Sequence, residues 1–237
     1  MIHPVFHYTE RMFFLKAEES ILFASHSERK EAISELIGST TFDKGYYLLL
    51  ALAVLIVTPG LLLDNAAVII GGMVIAPLLS PILLFALSLT TGSMKGLYHA
   101  TIVLLLSVII ILAVSSGLTW IMLYTTDEVH LITKQPEPAL YAFIAFFSGV
   151  TAAFAWVKKD IAPTIAGIAI AVSLLPPLAA SGVGIAVQNL PYTAAGAMIF
   201  GINVIGIICG AIGIFFIFGF FRESKDMDNA LREESLD

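Results

Sequence analysis

Asp64-Asn65-Ala66-Ala67-Val68-Ile69-Ile70-Gly71-Gly72-Met73-Val74-Ile75-Ala76-Pro77-Leu78-Leu79-Ser80-Pro81 carries no charge beyond its first residue, yet it holds two prolines inside an otherwise helix-length apolar run. Uncharged sequence continues from 66 to 93, and comparable runs cover 46–63, 97–126, 139–157 and 161–221. Each of the first four reaches about one bilayer thickness, since roughly 20 helical residues cross the hydrocarbon. The last is too long for one crossing, and Gln188-Asn189-Leu190-Pro191 is the natural place for a turn. The chain therefore reads as six transmembrane helices.

Composition agrees, because 58% hydrophobic and 13% charged residues lie far from the norm of a water-soluble domain. A β-barrel is excluded, since its strands read as short alternations of apolar and polar residues and these runs are continuously apolar. The expected fold class is all-α: a polytopic membrane protein with six spans in two inverted halves of three, its helices 2 and 5 broken by proline. Its expected boundaries are an N-terminal segment at 1–43, a membrane domain at 44–221 and an acidic tail at 222–237. The two halves cover about 44–125 and 138–221.

Laying the spans out alternately puts eleven of the twelve Lys and Arg residues on one side, and only Lys134 falls opposite. The positive-inside bias then places both termini in the cytoplasm and the chain in the cytoplasmic membrane. Within 1–43 there is no signal-peptide pattern. Ser27 to Gly38 has a cap, apolar spacing and a terminating glycine, the signature of a short amphipathic helix. His3, His7 and His26 share no metal-ligand spacing. The single cysteine, Cys209, reads as a small packing residue.

Sliding the chain against itself by 96 residues lays the opening stretch over Asp160-Ile161-Ala162-Pro163-Thr164-Ile165-Ala166-Gly167-Ile168-Ala169-Ile170-Ala171-Val172-Ser173-Leu174-Leu175-Pro176-Pro177, with seven of eighteen positions identical. An odd number of spans per half inverts the second copy. Transporters built this way bind their solute near the midplane, between the halves. Proline removes a donor and frees the carbonyl four residues earlier, so the expected free acceptors are Met73 and Pro77 in span two and Val172 and Ser173 in span five. Ser80, Pro81, Ser173, Pro176 and Pro177 line the two breaks, and Asn203 in the last span is the remaining candidate for the site. The competing reading is that the prolines only kink the helices for packing.

The same stretch, with Gly167 to Leu178 and Asn203, resembles the family of bacterial and archaeal hydrophobic membrane proteins catalogued as domain of unknown function 389. The resemblance covers about residues 45–220. It implies the membrane fold and assigns no activity.

No ionisable residue lies inside a span, which disfavours proton coupling through a buried carboxylate. Asp64, Asn65 and Asp160 stand at the mouths of spans two and five, as helix-starting residues or as gates that attract cations. No catalytic, phosphate-binding or cofactor motif appears, so neither an enzyme nor a cofactor is expected. The acidic tail argues against nucleic acid. The leading expectation is a transporter or channel-like protein for a small ion or polar solute. Its alternatives are a membrane-embedded sensor that moves nothing and a structural oligomer. Gly206-Ile207-Ile208-Cys209-Gly210 has the small-xxx-small spacing of a helix contact, from which a homo-oligomer is expected.

Overall fold

The structure, a computed structural model, describes residues 24–40, 43–123, 137–158 and 163–234, the side chains of 163–173 and 233–234 excepted. Nine α-helices lie among the described residues: α1 His26–Gly38, α2 Lys44–Leu62, α3 Ala66–Ile75, α4 Leu79–Thr91, α5 Met94–Met122, α6 Pro138–Val157, α7 Pro163–Ala186, α8 Leu190–Ile217 and α9 Ser224–Glu234. Among those residues no strand occurs. Four of the helices, α2, α5, α6 and α8, are long and apolar enough to cross a membrane, and α3 with α4 makes a fifth span if the bent pair is counted as one. Their outer faces are apolar, with Leu48, Leu52, Leu105, Ile109, Phe143 and Ile205 exposed. Such surfaces match lipid rather than water.

Span two is broken, as the proline spacing predicts: α3 and α4 meet at 55° across Ala76-Pro77-Leu78. Ala76 adopts φ −71° and ψ 121°, the extended conformation that the residue before a proline prefers. Span five differs from expectation. α7 runs unbroken from Pro163 to Ala186 with Pro176 and Pro177 inside it. Packing on both flanks supplies the reason. A Cβ at Gly182 would press on Ser115 of α5, 2.9 Å from its Cβ, and one at Gly196 of α8 would lie 2.5 Å from the Pro177 carbonyl oxygen. Neighbours this close keep α7 helical through residues that isolated helices reject. The two stretches most alike in sequence thus differ in structure, one interrupted and the other continuous.

Two hairpins share one turn design. After α2, Asp64 takes the left-handed φ of 50° and Asn65 N–H reaches back to the Gly60 carbonyl at 2.9 Å; after α7, Gln188 has φ 56° and Asn189 N–H reaches Gly184 at 2.9 Å. This is a Schellman ending with a non-glycine residue at its left-handed position. Each Asn side chain then caps the following helix, Asn65 by accepting from Ala67 and Val68, Asn189 by accepting from Tyr192. Gly60 and Gly184 let the returning helix pass close, since a Cβ there would sit 3.0 Å from Ile69 N and 2.8 Å from Thr193 N.

Helices α1 and α9 lie together at one end of the bundle. Ser25 and Glu28 form a reciprocal capping box at the start of α1, worth about 1 kcal/mol, two residues before the expected cap. Arg29 Nε donates to Glu223 Oε1 at 2.8 Å, and Lys158 Nζ, just past α6, donates to Glu28 Oε1 at 2.8 Å. Burial alone raises the Glu28 carboxyl, but hydrogen bonds from Lys158 and Ser25 outweigh it and hold the group below the ordinary carboxylate value. Residues 224–234, expected only as acidic tail, form a docked helix: Met227 is fully buried against Gly96, and Ser93 Oγ donates to Asp228 at 2.7 Å.

Candidate functional site

The break in span two is buried on the α4 side. Leu78, Ser80, Pro81, Ile82 and Leu83 are all buried, so the first turn of α4 opens inside the protein. That turn leaves backbone N–H groups without helical partners, and Leu78 at the cap has no side chain able to accept from them. Pro81 falls within this first turn, where a missing N–H removes no helical bond. The expected free carbonyl on Met73 is not free, because Ala76 N–H donates to it at 3.2 Å. The polar groups exposed by the break are therefore mainly the N–H groups opening α4, beside the positive end of its dipole.

Span five supplies acceptors. Helix continuity through Pro176 and Pro177 leaves the carbonyls of Val172 and Ser173 without backbone donors, as the sequence implies, while their side chains lie outside the described residues. One turn on, the Ser181 hydroxyl is within bonding distance of the carbonyls of Pro177 at 3.2 Å and Thr193 at 3.0 Å. α7 packs on both α3 and α4, and also on α2, α5, α6 and α8. It is the central helix, and it spans the break. Asn203 is fully buried in α8 and has a partner.

The entrance residues separate. Asn65, not Asp64, caps α3, and Asp64 stands exposed in the turn. Asp160 lies outside the described residues. Cys209, expected to pack, faces outward.

A polar stripe escaped the sequence reading. Gly96, Ala100, Val103, Ser107, Ile111, Ser115 and Thr119 recur every three or four residues and make the buried face of α5. Ser107 meets the Tyr46 hydroxyl of α2 at 3.0 Å, and Ser116 donates to the Gly182 carbonyl of α7 at 2.9 Å. Small and hydroxyl residues at helical spacing were the available signal.

Residues 73–209 match the family described as Domain of unknown function (DUF389), more than half of the chain and the stretch holding the break, α7 and Asn203. The chain belongs to this family. It is 27% identical over 191 residues to the uncharacterized protein MJ0678 of Methanocaldococcus jannaschii, covering 81% of this chain and 59% of that protein. The chain thus spans about three-fifths of that relative's length. No solved structure matches.

Proposed function

We propose that this DUF389 chain is a six-span membrane transporter or channel-like protein, rather than an enzyme, that passes a small ion or polar solute by the break in span two. The carrying observation is the 55° interruption between α3 and α4, half-buried at Ala76 and Pro77 and buried from Leu78 into α4. Broken helices inside membranes present unpaired backbone groups to a solute at mid-depth. Here α4, whose first turn leaves N–H groups open, packs on a central helix that carries the proline-freed carbonyls of Val172 and Ser173. α4 is buried almost throughout, whereas α3 keeps Ala67, Ile70, Gly71, Val74 and Ile75 on the outside. We assign the motion to α3, swinging with α2 about Ala76-Pro77-Leu78 against a fixed α4.

Proteoliposomes loaded with KCl, NaCl or urea and followed by stopped-flow light scattering test this reading. One of these solutes is expected to move, and Pro77→Ala, which lets α3 and α4 join, is expected to slow it at least tenfold. Equal flux in empty liposomes and in those holding the wild type sinks the proposal. Binding without flux supports the sensor reading instead, which the docking of α1 and α9 onto the end of α4 favours.

The proposed topology counts α7 as the fifth of six crossings and α8 as the sixth, and puts the α1 and α9 end in the cytoplasm. Cysteine labelling in intact cells, in a Cys209→Ala background, is expected to reach residues 126–138 and to miss residues near Lys158. For assembly we propose a homo-oligomer built on the outer face of α8 around Cys209. The Gly206 and Gly210 face is taken, since a Cβ at Gly206 would lie 2.6 Å from Ala145 of α6. A bismaleimide is expected to join native Cys209 residues in membranes, and a monomer band alone refutes the interface.

A further inference from the structure

His26 fits no metal spacing in the sequence, but folding brings it beside two carboxylates almost two hundred residues away. His26 Nδ1 lies 3.3 Å from Glu223 Oε1 and Nε2 lies 3.8 Å from Asp226 Oδ2, and one donor atom from each of the three residues falls within 4.8 Å of the others. Glu223 and Asp226 are three residues apart where the chain enters α9, so one helical turn aims both carboxyls at the imidazole. Ligands held 2.0–2.1 Å from a tetrahedral ion are about 3.3–3.4 Å apart, the separation already present between His26 and Glu223.

The surroundings suit an ion that binds from solvent. Glu223 is 7% exposed in its side chain, Asp226 30% and His26 64%, so one ligand is fixed and two can turn toward an arriving metal. Arg29 Nε holds Glu223 Oε1 at 2.8 Å, yet a carboxylate keeps a second oxygen and further lone pairs. Its role matches that of the hydrogen-bonded partner that orients a ligating carboxylate. Two neighbouring carboxylates also repel each other, and one guanidinium neutralises only one of them.

We propose that His26, Glu223 and Asp226 bind one divalent first-row transition metal, Zn2+ by the chemistry of an imidazole and two carboxylates, which ties α1 to the start of α9. Water completes the coordination. The metal would set how firmly the two chain ends are closed over this end of the bundle, whether or not the protein transports.

The test uses the full chain, purified with a histidine-free tag, stripped with EDTA, and carrying His3→Ala, His7→Ala and His130→Ala, so that the one other imidazole left is His99, whose Nε2 contacts the Thr40 carbonyl. Titration calorimetry with Zn2+ is expected to find one site per chain, and Zn2+ is expected to raise the thermal midpoint. His26→Ala and Asp226→Asn each leave the Arg29–Glu223 pair in place and are expected to weaken binding at least tenfold and to remove the thermal gain, at unchanged helix content by circular dichroism. Should His26→Ala misfold, Asp226→Asn decides alone. A parent protein that takes up no Zn2+, or a folded variant that binds as tightly as its parent, overturns the site.

Discussion

Replacing Gly210 by leucine is expected to destabilise the folded protein severely, while the same replacement at Gly213, one turn away, is expected to leave it intact. Both glycines lie in α8, the helix expected from its sequence to meet a second subunit. At Gly210 an added Cβ would collide with the Phe146 carbonyl and come within 2.8 Å of Val150 N, both backbone atoms of α6. Gly149 makes the reciprocal approach from α6, against the Ile207 backbone. Backbone cannot rotate aside as a side chain can, so the two helices must separate. Overpacking of a core typically costs about 1–3 kcal/mol, and a leucine against two stretches of main chain belongs at or beyond the upper end. At Gly213 nothing lies within 4 Å, and the change should stay within about 0.5 kcal/mol. Size-exclusion chromatography after a heat ramp separates the outcomes. A Gly210→Leu protein that runs as a stable, folded monomer would restore the subunit-interface reading and remove the packing one.

The second large effect is expected at the closed chain ends. Arg29→Ala leaves Glu223, 7% exposed, with its main cationic partner gone, and removal of one member of a buried pair costs about 3–5 kcal/mol. Arg29 is itself 17% exposed, so the lower part of that range applies. The loss also includes hydrogen bonds to the carbonyls of Ala24 and Phe218. Met227 is the reporter, because it is fully buried while α9 is docked. A Met227→Cys probe in a Cys209→Ala background should resist maleimide, and the added Arg29→Ala change should speed its labelling at least tenfold in metal-free buffer. Unchanged labelling would mean that apolar packing of Ile33, Leu36 and Ile37 holds the ends together without the ion pair.

Helices and their apolar faces were legible because lipid solvent demands continuous apolar sequence, and the break at Pro77 was legible because Ala76 obeys the local rule for a residue before proline. The same rule failed at Pro176 and Pro177, where contacts from Ser115 and Gly196 override it. Such contacts join residues far apart in the chain, and no local pattern encodes them. Gly206 and Gly210 were correctly read as a close helix contact, but spacing carries no information on whose helix is met. The 96-residue repeat drew attention to spans two and five. The shared turn of Gly60 to Asn65 and Gly184 to Asn189, at an offset of 124, lay unnoticed because only Gly and Asn are common to both. Of the candidate site, Ser80, Pro81 and Asn203 are buried, whereas the α5 stripe was passed over because serine and threonine were weighed singly.

Arg29 and Glu223 are separated by 194 residues, and that separation is also a clock. A ribosome adding about 5–20 residues per second needs roughly 10–40 s to deliver the second after the first. Throughout that interval α1 is made but has neither Glu223 nor Met227 to rest on, and, among the described residues, helices α2 to α8 emerge in between. Closure of α1 on α9 consequently waits until α2 to α8 have been made. A chain truncated between Lys158 and Glu223 keeps the Lys158–Glu28 pair and the packing of α1 on α4 and α6 but lacks the Arg29–Glu223 pair and all of α9.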